Sequence, residues 1–113
     1  MTQQPVPYYR AARFASKDTA GRAYMPLQAL VYDEQNVCDL SVFRFRITEG
    51  WHVVVLGKKP SNALCIRIEA LLAKGTLVTL ASRPDVLDYL QRRRARAENI
   101  APWVEVHYKH DEE

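Results

Sequence analysis

The densest chemistry in this 113-residue chain is cationic, at Tyr89-Leu90-Gln91-Arg92-Arg93-Arg94-Ala95-Arg96. On a helix, Tyr89, Arg92, Arg93 and Arg96 fall on one face through their three- and four-residue spacings. Val86, Leu87, Leu90 and Ala97 then supply the stripe that faces a core. Forked guanidinium donors pair with phosphates, and a tyrosine ring stacks on a base. The same residues also have a structural use. Arginines in the last turns complement the helix dipole. Asp88, four residues before Arg92, makes a favourable pair of about 0.3–0.5 kcal/mol. Long arginine stems also cover apolar surface.

Three further segments carry cations. Gly57-Lys58-Lys59-Pro60-Ser61-Asn62 joins a strand to a helix start, where free N–H groups and two ammonium groups could hold a phosphate. It lacks the glycine spacing and the Lys-Ser/Thr ending of a Walker-type loop, so an ordinary polar turn is the competing reading. Tyr8-Tyr9-Arg10-Ala11-Ala12-Arg13-Phe14 interleaves aromatic and basic residues, as in an arm that orders on a partner, an edge strand or an exchanged arm. Arg44 and Arg46 share one face of a strand, with Phe43 and Phe45 on the other. The aromatic pair therefore reads as core, not as a base-stacking platform. The arginines read as a solvated face or as partners of Asp39 or Glu69.

Metal and nucleophile chemistry has little support. Cys38 and Cys65 lie 27 residues apart, and His107 and His110 sit three apart near the end, which is no zinc spacing. His52 lies in an apolar strand and reads as a hydrogen-bonded structural residue. Glu105 and His107 share a strand face, but no nucleophile motif accompanies them. With four glycines in all, there is no dinucleotide-binding pattern. These absences weigh against an enzyme with a site around His52, His107 or Cys65, and no catalytic residue, metal ligand or cofactor is assigned.

Sixteen Lys+Arg against thirteen Asp+Glu give a formal net charge of +3. Its distribution says more than its size. Residues 1–22 carry Arg10, Arg13, Lys17 and Arg22 against Asp18. Residues 83–96 carry Arg83, Arg92, Arg93, Arg94 and Arg96 against Asp85 and Asp88, and the end from Glu105 is acidic. Hydrophobic residues make up 48%, enough apolar surface to offset chain entropy over most of the length. No apolar run approaches the ~20 residues of a membrane-spanning helix. The first residues do not read as a secretory signal, so the sequence predicts a cytoplasmic protein with two free thiols.

The elements that must position these groups follow from period and punctuation. Residues 1–22, with Pro5, Pro7 and Gly21, read as an extended N-terminal arm. Leu27, Leu30, Val31 and Tyr32 form a strand-like run, Asp33-Glu34-Gln35-Asn36 a break, and Val37 to Ile47 a strand of period two. Thr48-Glu49-Gly50 turns into the almost wholly apolar Trp51 to Leu56, the pattern of a strand covered on both faces. Ser61 or Asn62 caps a helix through Lys74 with Gly75 as its left-handed stop, although Ile66 and Ile68 leave a strand reading open for residues 63–69. Thr76 to Leu80 is a short strand. Ser82 caps a helix running to about Glu98, and Trp103 to Tyr108 alternates as a final strand. The prediction is an α+β domain over residues 23–109 with an acidic tail at 110–113. It has one mostly antiparallel sheet of about five strands with two helices on one face, in the order β-β-β-α-β-α-β.

The expected function is a non-enzymatic binding module. It would contact nucleic acid or another polyanion through Tyr89, Arg92, Arg93 and Arg96, with Lys58, Lys59, Arg10 and Arg13 extending the patch. The alternative is a protein-interaction or self-assembling homo-oligomeric subunit without a nucleic-acid role, suggested by Trp51, Trp103 and the aromatic-basic segment.

Overall fold

The computed structural model describes residues 7–33, 38–47, 49–79 and 84–96, with side chains through Arg92. The elements in chain order are β1 (Pro7–Phe14), α1 (Lys17–Val31), β2 (Leu40–Ile47), β3 (Gly50–Lys58), α2 (Asn62–Leu72), β4 (Thr76–Val78) and α3 (Pro84–Arg96). The four strands form one antiparallel sheet in the order β2-β3-β1-β4. The first six elements thus have the connectivity known as split β-α-β, or ferredoxin-like. This α+β sheet differs from the expected order in two places, and both differences have local causes.

The first is at the N-terminus. Of the segment read as an arm, Pro7–Phe14 is instead an interior strand, paired with β3 on one side and β4 on the other. The strand-like run at Leu27 to Tyr32 is the end of α1 and its cap. Ser16 opens that helix with a capping box: Thr19 N–H donates to Ser16 Oγ at 3.2 Å, and Ser16 N–H to Thr19 Oγ1 at 3.1 Å. Ala20, Ala23, Tyr24, Leu27, Leu30 and Val31 are buried at helical spacing. Gly21 and Pro26 interrupt that stripe in sequence. Pro26, inside the helix, removes one backbone donor without ending it.

The second difference is layering. The helices were expected on one face, yet α3 covers the face opposite α1 and α2. The cause is β2 and β3, which are apolar on both parities. Leu40, Val42, Val53 and Val55 join Tyr8, Ala12 and Phe14 in the core under α1 and α2. Phe43, Phe45, Ile47, Val54, Leu56 and Ala11 pack with Val86 and Leu90 of α3. Two apolar faces need two covers. Phe43 and Phe45 are core, as their parity predicts.

Residues 63–69 are helical, with Ser61 as the N-cap accepting from Leu64 N–H at 3.3 Å. Gly75 is not a left-handed stop. The positive-φ residues among those described are Gly50, at +119° in the β2–β3 turn, and Gly57. Gly75 is held by space instead. A Cβ there would lie 2.6 Å from the Arg13 carbonyl oxygen and 2.8 Å from the Phe14 ring. The expected final strand at Trp103–Tyr108, the Ser82 cap and the 110–113 tail lie outside the described residues. Among the described residues, no helix is long and apolar enough to cross a membrane.

Candidate functional site

The sequence-predicted cations occupy three places. α3 is continuous through Arg96, so Arg92, Arg93 and Arg96 follow one another along helical backbone. Val86 and Leu90 are fully buried and Leu87 partly so, in agreement with the expected core stripe. Tyr89, expected on the outer face with the arginines, instead packs partly buried against that core, because its ring covers apolar surface beside Leu90. Arg92 is exposed and its guanidinium lies 3.2 Å from the Asp88 carboxylate one turn earlier. Lys58 closes β3, with its ammonium 3.3 Å from Asp39, both exposed, while Lys59 lies exposed just beyond the strand. The loop after it caps α2 through Ser61, which is the structural use of such a turn.

Arg10 and Arg13 do not extend one patch. Strand alternation sends neighbouring odd and even positions to opposite faces. Tyr8, Ala12 and Phe14 enter the core under α1 and α2, and Ala11 the core under α3. Arg10 therefore lies on the α2 side and Arg13 on the α3 side. Of the two arginines on β2, Arg44 sets its guanidinium over the Tyr24 ring, 5.0 Å from the centroid. Gly21 leaves room for it, since a Cβ there would stand 2.9 Å from Nη1.

Around Arg10 the fold builds a cluster that sequence reasoning missed. Tyr8 O–H donates to Glu69 Oε2 at 3.2 Å, and Arg10 Nε lies 3.6 Å from Glu69 Oε1. The Arg10 guanidinium also sits 4.6 Å from the Tyr8 ring centroid and donates through Nη1 to the Tyr9 carbonyl at 2.8 Å. Burial, with Cys65 and Glu69 beside it, pushes the Tyr8 phenol well above its ordinary pKa of 10.0. Next to this cluster is a cavity of about 400 Å³, lined by Tyr9, Arg10, Ala11, Glu69, Leu77, Val78, Thr79 and Leu87. Its only sequence signal is the alternation in Tyr8-Tyr9-Arg10-Ala11. Nothing local announces that α2, β4 and α3 converge on it.

His52 is buried, its ring stacked on Phe45 and its Nδ1 2.9 Å from the Gly50 carbonyl oxygen. That is a hydrogen-bonded structural role. Cys65 is buried and Cys38 half-buried, and both are free thiols. Burial raises the Cys38 pKa above its ordinary value. Among the described residues, no three His, Cys, Asp or Glu side chains converge to hold a metal ion. Glu105, His107 and His110 lie outside the described residues. In comparison with known proteins, no family model, no curated protein and no solved structure matches the chain.

Proposed function

We propose that the protein is a non-enzymatic binding module that contacts nucleic acid or another polyanion through α3. The observation that carries this reading is the anchoring of α3. Its buried Val86 and Leu90 fix the helix on the sheet, and the helix continues unbroken through the arginine run to Arg96. The Arg92–Asp88 pair does not oppose it. Both side chains are more than 60% exposed (64% and 63%), and such a four-residue pair is worth about 0.3–0.5 kcal/mol. A phosphate competes readily for that guanidinium. Lys58, also held by an exposed carboxylate, is available on the same terms. Contacts of this kind go to phosphates and carry little sequence specificity.

Fluorescence anisotropy with labelled single-stranded and duplex DNA and RNA tests the reading. Binding should weaken steeply as salt rises, since each neutralised phosphate releases counterions. The triple variant Arg92→Ala/Arg93→Ala/Arg96→Ala should bind at least about tenfold more weakly at low salt. Equal binding by that variant, or none by the parent, overturns it. A second reading, a protein-interaction subunit, is favoured by one observation, the largely apolar cavity lined by Tyr9, Ala11, Leu77, Val78 and Leu87.

A further inference from the structure

We infer that the cavity beside β1 binds a free α-amino acid with a branched aliphatic side chain, its carboxylate on Arg10 and its ammonium on Glu69. This inference is independent of the polyanion reading and concerns a different surface. The cavity holds about 400 Å³, the size of a small-ligand site, and its lining divides into two parts. Ala11, Leu77, Val78 and Leu87 give an apolar wall, while Arg10 and Glu69 set one cation and one anion on the same space.

Two opposite charges beside an apolar wall decide the class of ligand. A phosphate or simple carboxylate would be opposed by Glu69, and a simple amine by Arg10. A wholly apolar ligand would draw both charges out of water without replacing what they lose. A zwitterion with an apolar side chain offers a partner to each.

The side chains around Arg10 present the atoms that such a ligand needs. Arg10 Nε stands 3.6 Å from Glu69 Oε1, longer than the ~2.7–2.9 Å of a charge-assisted hydrogen bond, and the two side chains are 46% and 43% exposed. An exposed pair of this kind is worth about 0–1 kcal/mol and yields to better-placed partners. Nη1 donates to the Tyr9 carbonyl, and Nη2 has no hydrogen bond or ion pair among the described residues. Nε and Nη2 share one edge of the guanidinium, the fork that takes a carboxylate through two parallel bonds. Glu69 is held from the core, since its Oε2 accepts from the hydroxyl of the buried Tyr8 at 3.2 Å. Oε1 takes the ammonium while Oε2 keeps Tyr8. The two charged groups of an α-amino acid sit on one carbon, which suits two receptors that stand side by side. Its side chain then reaches Ala11, Val78 and Leu87, the last two packed against the α3 core.

The test uses the full chain and L-leucine, followed by calorimetry and amide NMR. Saturable binding, tighter than about 1 mM, should shift amides of residues 9–11 and 77–79. N-acetyl-L-leucine, which lacks the ammonium, and L-leucinamide, which lacks the carboxylate, should each bind about tenfold more weakly or worse. Arg10→Ala and Glu69→Gln should weaken leucine by a similar factor, with circular dichroism confirming that both variants fold; glutamine keeps an acceptor for Tyr8. The triple arginine variant of α3 should bind leucine as the parent does, which separates this site from the polyanion surface. No binding at ~1 mM leucine, or shifts confined to other elements, overturns the proposal. So does equal binding of either blocked form, since N-acetyl-L-leucine then marks a site for a peptide C-terminus and L-leucinamide one for an N-terminus.

Discussion

Gly75→Ala should destabilise the protein by about 2–3 kcal/mol, although nothing in its backbone conformation requires glycine. The added Cβ would stand 2.6 Å from the Arg13 carbonyl oxygen and 2.8 and 2.9 Å from two Phe14 ring carbons. Carbon atoms pack at about 3.5–4.0 Å, so each approach is short by more than half an ångström. One obstacle is backbone and the other is a ring fixed in the core under α1 and α2. Neither yields without moving β1 away from β4. Overpacking typically costs about 1–3 kcal/mol, and a rigid pair of neighbours puts this site in the upper part of that range. At about 2.1 cal/mol/K of unfolding entropy per residue, a chain of 113 residues loses about 4 °C of Tm per kcal/mol. Calorimetry should therefore show a fall of about 8–13 °C. Amide exchange should accelerate first at Thr76, Leu77 and Val78, which pair with Arg13, Ala12 and Ala11. Gly21→Ala is the control. Its Cβ meets only Arg44 Nη1, the far end of a flexible side chain, at 2.9 Å. Removing a glycine from a helix interior gains about 0.5–1 kcal/mol, which offsets a comparable loss when Arg44 leaves the Tyr24 ring. A Gly75→Ala protein melting within about 2 °C of the parent would refute the steric argument.

Other outcomes follow from the buried groups. Tyr8 holds its proton more tightly folded than unfolded, so its contribution is complete below pH 10 and declines above it at about 1.4 kcal/mol per pH unit. Urea melts across that range should show a shallower alkaline fall for Tyr8→Phe, and identical slopes would count against the raised pKa. Leu90→Ala should cost about 2–5 kcal/mol in urea unfolding, because Leu90 is fully buried between α3 and the sheet. A cost under about 1 kcal/mol would mean that α3 does not close that face. In native protein at mildly alkaline pH, iodoacetamide should modify the half-buried Cys38 before the buried Cys65, with Cys38 slower than in urea. Modification of Cys65 first would contradict the packing around α2.

Much of the architecture was legible wherever period and punctuation agreed. Phe43-Arg44-Phe45-Arg46-Ile47 sorts itself by alternation, and Ser61 and Pro84 open helices at the expected places. Legibility failed at β1 and α1. Tyr8-Tyr9-Arg10-Ala11-Ala12-Arg13-Phe14 has charges on both parities, so an interior strand resembles an arm. Its arginines reach solvent at the sheet's end and edge, which local sequence does not encode. Gly21 and Pro26 broke the helical stripe of α1 because each is tolerated for a tertiary or positional reason: room for Arg44 in one case, a single lost donor in the other. Gly75 carried the signature of a helix stop but is small because Arg13 and Phe14 pass beside it.

By itself, the sequence determined what each segment must bury, two apolar parities on β3 and one stripe on α3, and where it keeps its charge, in the guanidinium groups after Leu90. These depend on side-chain type and spacing alone. Only the tertiary structure decided which cations stand together and which stand apart. Arg10 and Arg13, three residues apart, lie on opposite faces of the sheet, while Arg10 meets Glu69 across 59 positions of chain. Pairing of distant strands sets such contacts, and no local period records it.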